Sequence, residues 1–337
     1  MDFGVVLSQP GRVALEEIVV DAPQAGEVLV RIEATGVCHT DLHVIEQDGW
    51  GHRFPVLLGH EGAGVVEAVG DFVDTVEPGD NVVIGWKTAC GECVPCLRGD
   101  PRHCRKPPGA PGRLHRANGD DLTPVLRTGT FATRTVVPAV ALAKVTNLAP
   151  EEACLLGCAV ATGVMSVIET AQLWPGARVA VIGCGAVGLS VIQGAKIAGA
   201  SEIRAIDLDE RKLEQARSFG ATDVGEGPVD FAFDVVARKQ TFEQALRIAP
   251  TVIQVGLSPA GETAEVVLPS LFARRARILV SHGGDHLPED FPWLAELAGA
   301  GRLDLASMVT RVAPLAEWSE AFDAMKDGDV IRTVLTP

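Results

Sequence analysis

The sequence predicts an α/β protein of two domains, a doubly wound parallel sheet joined to a β-rich domain. Three observations carry this. The chain has 337 residues, more than one ordinary hydrophobic core organises. Residues 1–150 alternate polar and apolar positions in short runs bounded by Gly and Pro, a β texture. After Pro150, apolar strand-like runs alternate with helical periodicity, the pattern of βαβ units.

In the first part, Glu27–Glu33 (EVLVRIE) and Gly64–Val69 (GVVEAV) read as strands. Pro107–Thr130 is rich in Gly, Pro, Arg and Asp and reads as an irregular surface loop. In the second part, Ala177–Ile182 is a buried strand, Val187–Ala198 a helix and Glu202–Ile206 a second strand. Asp209–Phe219 follows as a charged-faced helix. Phe231–Val236 and Val252–Val255 continue as strands, with Thr241–Ile248 helical between them. Two further helices are expected at Trp293–Gly299 and Trp318–Lys326, and a last strand at Ile331–Thr336.

Composition removes several functions. The formal net charge of −15 argues against binding a phosphate backbone, which needs a basic face. Tyrosine is absent, which excludes reductases whose proton donor is a Tyr–Lys pair. The longest apolar region, Ala153–Val167, carries Thr162 and Ser166 and is too short and polar to span a bilayer. The opening MDFGVVLSQP lacks the basic flank of a signal peptide. A cytoplasmic location is expected.

Gly183-Cys-Gly-Ala-Val-Gly188 follows a predicted strand and opens a predicted helix, and Asp207 ends the next strand 19 residues on. This is the context in which G-x-G-x-x-G binds a dinucleotide. Gly183 makes the tight turn, Gly185 lets the backbone approach a pyrophosphate, and Gly188 allows close helix–sheet packing. Ala186 and Val187 complete the loop, and the helix N-terminus faces the anion with unpaired N–H groups. Asp207 suits the adenosine ribose hydroxyls and would repel a 2′-phosphate. Leu208 beside it is not the arginine of many NADP sites, so NAD is the expected cofactor. The plainer alternative, a glycine turn without a ligand, leaves the acid unexplained. Cys184 reads as an inert buried thiol.

The eight cysteines of a large chain in a reducing compartment read as metal ligands before disulfides. Cys90, Cys93, Cys96 and Cys104 are separated by two, two and seven residues. Four thiolates make a closed tetrahedral site, the preference of structural zinc. A second set is scattered: Cys38 in GVCHTDLH, His60 in GHEGAG and Cys158 in LLGC. Two thiolates and an imidazole would leave a zinc position open to substrate. Taken singly, a Cys or His is more often a core filler, and Cys154 rivals Cys158 four residues earlier.

GVCHTDLH, GHEGAGVV, the Cys-x2-Cys-x2-Cys-x7-Cys lobe, LLGC-x3-TG and VIGCGAVG occur here in order. From end to end the chain resembles the zinc-dependent alcohol dehydrogenases of the medium-chain dehydrogenase/reductase family. The resemblance implies a GroES-like catalytic domain over 1–155 and 283–337, and a Rossmann NAD-binding domain over 156–282. It implies two zinc ions per chain: a catalytic ion on Cys38, His60 and Cys158, and a structural ion on the four-cysteine lobe. By the same resemblance, Asp41 orients His60, Glu61 approaches the metal from the other side, Thr40 bonds the substrate oxygen and His43 passes the proton to solvent. His39 and Arg332 match pyrophosphate contacts, Lys212 lies near the adenosine ribose, and Thr162 and Val255 are further cofactor positions. Trp86 and Phe131 match walls of the substrate pocket.

The resemblance implies NAD-linked, reversible oxidation of an alcohol to an aldehyde or ketone. Two alternatives stand beside it. Val37–Cys104 and VIGCGAVG also resemble the mycothiol-dependent, formaldehyde-oxidising branch, which acts on an S-hydroxymethyl thiol; it ranks second because no basic cluster marks a large anionic cosubstrate. A non-catalytic zinc-lobed binding protein would leave the second metal set and Thr40 unused. By analogy with relatives, a homodimer or homotetramer is expected, with Arg277–Ser281 near the contact.

Overall fold

The computed structural model describes all residues from Met1 to Pro337. The chain divides into two compact units. Unit 1 comprises Met1–Cys158, Leu287–Gly301 and Leu305–Pro337; unit 2 comprises Ala159–His286 and Arg302–Asp304.

Unit 1 contains two sheets. The five-stranded one runs Leu114–Arg116 (β7), Arg12–Val20 (β2), Asp2–Gln9 (β1), Val56–Leu57 (β4) and Thr123–Pro124 (β8). The seven-stranded one runs Leu142–Lys144 (β10), Asn81–Ile84 (β6), Glu61–Val69 (β5), Glu27–Gly36 (β3), Arg332–Thr336 (β18) and Val309–Pro314 (β17). Arg134–Pro138 (β9) also pairs with β3. The last strand therefore lies beside the third, with Val334 opposite Gly36. That pairing brings Arg332 to the end of β3, just ahead of the helix His39–Glu46 (α1). The short helices Val94–Leu97 (α2) and Pro150–Ala153 (α3), and the later Phe291–Gly299 (α9) and Trp318–Asp327 (α10), complete the unit.

Pro107–Thr130 is not the irregular surface loop its composition suggested. It contributes the short strands β7 and β8, and Leu114, Leu122 and Val125 are buried. Leu114 and Leu122 pack with Val6, Ile18, Leu57 and Ala132. Three buried apolar side chains fix the segment despite its turn-rich composition.

Unit 2 is a six-stranded all-parallel sheet. Its order is Asp223–Val224 (β13), Glu202–Ile206 (β12), Arg178–Ile182 (β11), Phe231–Asp234 (β14), Thr251–Gln254 (β15) and Arg277–Val280 (β16). The order reverses between β11 and β14, the switch point where doubly wound sheets bind ligands. Its helices are Ala159–Met165 (α4), Ala186–Ile197 (α5), Glu210–Phe219 (α6), Lys239–Ile248 (α7) and Leu268–Arg274 (α8). The central strands β11 and β14 are almost wholly buried, as expected of parallel strands covered on both faces.

Candidate active site

In unit 1, single ligand atoms of Cys38, His60, Glu61 and Cys158 lie within 4.8 Å of one another, all four residues buried. Each arrives from a different element. Cys38 precedes α1 with extended backbone (φ −123, ψ 149) and its side chain caps nothing. His60 and Glu61 stand at the start of β5. Cys158 sits where the tight turn Cys154–Gly157 breaks before α4, and its backbone (φ −147, ψ −79) leaves helical geometry there. This break separates Cys158 from Cys154, whose Sγ instead donates to Glu151 O at 3.3 Å. Cys154 is outside the cluster, and burial pushes its thiol up.

Asp41 is fully buried and does not cap its own helix. Its Oδ1 accepts from Gly59 N at 2.8 Å. Its Oδ2 lies 3.0 Å from His60 Nδ1, near enough for charge attraction but off the hydrogen-bonding line. Gly59 makes the approach feasible: at φ +89 it favours glycine, and a Cβ would meet Phe131 N at 2.3 Å. Glu61 Oε1 accepts from Arg332 Nη2 at 2.7 Å, and Arg332 Nη1 donates to Val37 O at 2.8 Å. Arg332 is 5% exposed, and both its terminal nitrogens are engaged within unit 1.

The cluster is charged and incompletely satisfied. The bond from Cys158 pulls the Cys38 thiol well below the ordinary range, with the His60 and Arg332 charges helping against burial. The same bond, with burial, pushes Cys158 well up. Burial alone would lower His60, but the Asp41 and Cys38 charges outweigh it and raise it. Burial lifts Glu61 to about 7 despite Arg332. His60 Nε2 and Glu61 Oε2 have no hydrogen-bond partner, a costly state for buried polar atoms. Two sulfurs, an imidazole nitrogen and a carboxylate oxygen suit zinc in type and number, and a divalent cation would supply the missing partners.

Thr40 and His43 lie on α1, three residues apart and so on one side of the helix. Both are half-buried, and Gln47 Nε2 lies 3.1 Å from His43 Nδ1. Trp86 is partly exposed. Phe131 is wholly buried in the unit 1 core, its ring centroid 6.1 Å from that of Phe322.

The four-cysteine lobe is compact. Its ligand atoms also lie within 4.8 Å of one another, and α2 fits between Cys93 and Cys104. Cys93 Sγ is 3.4 Å from Cys96 Sγ and 3.9 Å from Cys104 Sγ, far beyond the ~2.05 Å of a disulfide. Cys90 N and Cys93 N donate to Cys104 Sγ and Cys90 Sγ, both at 3.3 Å.

In unit 2, Gly183–Gly188 joins β11 to α5. Gly183 has φ +95, and a Cβ on Gly188 would meet Gly183 O at 1.9 Å. A Cβ on Gly185 would meet nothing within 4 Å, leaving open space at the start of α5 for an anion. Asp207 accepts from Cys184 N at 2.7 Å and Asp209 N at 3.0 Å, and a carboxylate keeps further lone pairs beyond these two bonds. The loop therefore fits a dinucleotide.

Known proteins resemble this chain. Residues 24–150 match the alcohol dehydrogenase GroES-like domain, and residues 186–300 the zinc-binding dehydrogenase model. S-(hydroxymethyl)glutathione dehydrogenase of Saccharomyces cerevisiae is 36% identical, over 96% of this chain and 92% of its own. The enzyme of that name from Photobacterium damsela is 39% identical over 95% of each chain. This chain belongs to the zinc-dependent alcohol dehydrogenases. Among solved members, benzyl alcohol dehydrogenase from Acinetobacter calcoaceticus superposes with a TM-score of 0.91 at 29% identity, covering 100% of this chain and 99% of that one. As a zinc-dependent alcohol dehydrogenase, the chain carries two candidate zinc sites, the Cys38 cluster and the four-cysteine lobe. The resemblance implies Glu61 near the metal and Arg332 at the cofactor; the direct Arg332–Glu61 bond emerges only in the fold. Its signal was the strand pairing of β18 with β3, which no local motif encodes.

Proposed function

We propose that the chain catalyses NAD-linked, reversible oxidation of an alcohol to an aldehyde or ketone at the Cys38–His60–Cys158 cluster. The observation that carries this is a buried two-sulfur, one-imidazole set followed directly by a hydroxyl and a second imidazole on α1. Zinc supplies Lewis acidity toward the alcohol oxygen, and NAD the hydride acceptor. Cys38, His60 and Cys158 hold the metal, with Glu61 as a fourth donor within reach. Asp41 keeps His60 turned so that Nε2 faces the sulfurs. Thr40 Oγ1 would accept the proton of the substrate hydroxyl while releasing its own toward His43. His43, with Gln47 beside Nδ1, exchanges that proton with solvent through Nε2. Gly183, Gly185 and Gly188 seat the pyrophosphate, and Asp207 selects the unphosphorylated ribose of NAD.

The relatives named above favour a second reading, oxidation of an S-hydroxymethyl thiol. Such an adduct is itself a primary carbinol, so the same residues serve it. One experiment separates the two. Zinc-loaded protein is assayed for NAD reduction with benzyl and simple primary alcohols, and with formaldehyde with and without glutathione or mycothiol. Turnover of free alcohols without thiol supports the first reading. Turnover only of formaldehyde plus thiol moves the assignment to the second. Silence in every arm sinks both.

The chain is further proposed to work in the cytoplasm, where the two thiol clusters stay reduced. It is also proposed to form a homodimer or homotetramer along the edge strand β16, whose Ile278 and Val280 are exposed, as is Phe272 nearby. Sedimentation showing only a 35.4 kDa species would count against self-association.

A further inference from the structure

Asp234 ends β14, two strands from the sheet edge, with 0% exposure. It has no ion pair. Its Oδ1 accepts from Val236 N at 3.2 Å and Ala237 N at 2.9 Å, and its Oδ2 from Thr241 Oγ1 at 3.1 Å. Burial raises its pKa against these bonds. An acid buried without a counter-charge is costly. Asp234 holds a turn. Ala237 has φ +57, the left-handed region that disfavours every residue with a Cβ. Thr241 reinforces the same turn by accepting from Arg238 N at 3.0 Å.

The turn Val235–Arg238 lies against the glycine loop. A Cβ on Gly183 would meet Val236 Cγ2 at 2.6 Å. On its other side, a Cβ on Gly256 would meet Val235 O at 2.3 Å and Ala237 Cβ at 2.9 Å. Two glycines thus make room for this turn, and Val236 remains 42% exposed beside the fingerprint. A glycine at 237 would adopt φ +57 without help; alanine needs the carboxylate.

We propose that Asp234 is a positioning residue for the dinucleotide: its side-chain bonds lock Ala237 in the left-handed conformation and so seat Val236 against Gly183 in a binding-ready loop. This rests on the reading of Gly183–Gly188 as the NAD loop. Without the carboxylate, Ala237 relaxes and only a fraction of molecules hold the ready shape, which weakens apparent affinity by that fraction.

The test titrates NADH fluorescence on zinc-loaded wild type and variants. Asp234→Ala should raise the NADH Kd roughly tenfold, with the alcohol KM at saturating NAD unchanged. Asp234→Asn, which keeps an acceptor oxygen, should bind within about twofold of wild type. Adding Ala237→Gly to Asp234→Ala should restore tight binding, a rescue that general destabilisation would not produce. An unchanged Kd in Asp234→Ala, or no rescue by glycine, overturns the proposal. If Asp234→Ala does not fold, the double variant decides: folded and tight supports the lock, unfolded or weak refutes it. Failure of the wild type to bind NADH would instead refute the dinucleotide reading itself.

Discussion

His60 depends on a carboxylate for its orientation. It is fully buried and raised by the Asp41 and Cys38 charges, yet a zinc ligand must present a neutral ring nitrogen. Asp41, fixed by the Gly59 amide, sets its charge 3.0 Å from Nδ1, and on the proposed reading leaves Nε2 for the metal. Asp41→Asn should therefore weaken zinc at the Cys38 cluster by roughly 10- to 100-fold, read by chelator competition, while the four-cysteine lobe keeps its ion. Unchanged affinity would remove Asp41 from the positioning role. At this scale residue types were legible in the sequence, because Cys, His and Asp carry their chemistry wherever they stand. The choice of Cys158 over Cys154 was not legible from spacing; it came from the resemblance, and in three dimensions it reflects the non-helical backbone at Cys158. Phe131 shows the converse. The resemblance matched it to a pocket wall, and only the fold shows it buried against Gly59.

The Cys90–Cys104 lobe shows what one element can encode by itself. Its four ligands lie within 15 consecutive residues, so local chain geometry alone brings the sulfurs together. Little apolar packing supports it: Val94 and Leu97 of α2 are exposed, at 58% and 74%. The lobe's order must then come mainly from metal coordination. Cys96→Ser should lower bound zinc from two ions to one per chain and open 90–104 to proteolysis, while the sheets stay folded by circular dichroism. Retention of two ions with a protected lobe would refute this. The 107–130 segment could not be read this way. Its glycines and prolines signal turns, whereas the burial of Leu114, Leu122 and Val125 depends on partners in β1, β2 and β4, more than fifty residues away.

Across unit 1, the two sheets are joined at the N-terminus. Asp2 of β1 accepts from Arg134 Nε of β9 at 2.7 Å and from Thr133 Oγ1 at 2.9 Å. The Arg134 bond holds the Asp2 carboxyl below its ordinary 3.8, overcoming partial burial. A lowered folded-state pKa stabilises above the unfolded value, and that contribution is lost as pH falls through the folded one. Arg134 is partly exposed, so the pair is worth about 1 kcal/mol. Asp2→Asn should lower Tm at pH 7 by about 2–4 °C, with the gap to wild type closing below pH 3.8. A gap that persists undiminished in acid would mean the loss is not electrostatic.

The sequence alone determined the class of fold, the βαβ half, the glycine fingerprint with Asp207, and the self-contained cysteine lobe. Each is written in neighbours within a few tens of residues, where periodicity, turn chemistry and ligand spacing act directly. Tertiary structure decided the rest: that residues 38, 60, 61, 158 and 332 meet, that Asp41 lies against Gly59 and His60, and that Asp234 bonds the Ala237 amide. Bringing the ends of one chain together requires strand pairings such as β18 on β3. Those pairings are selected by the burial of whole faces, and no local spacing records them.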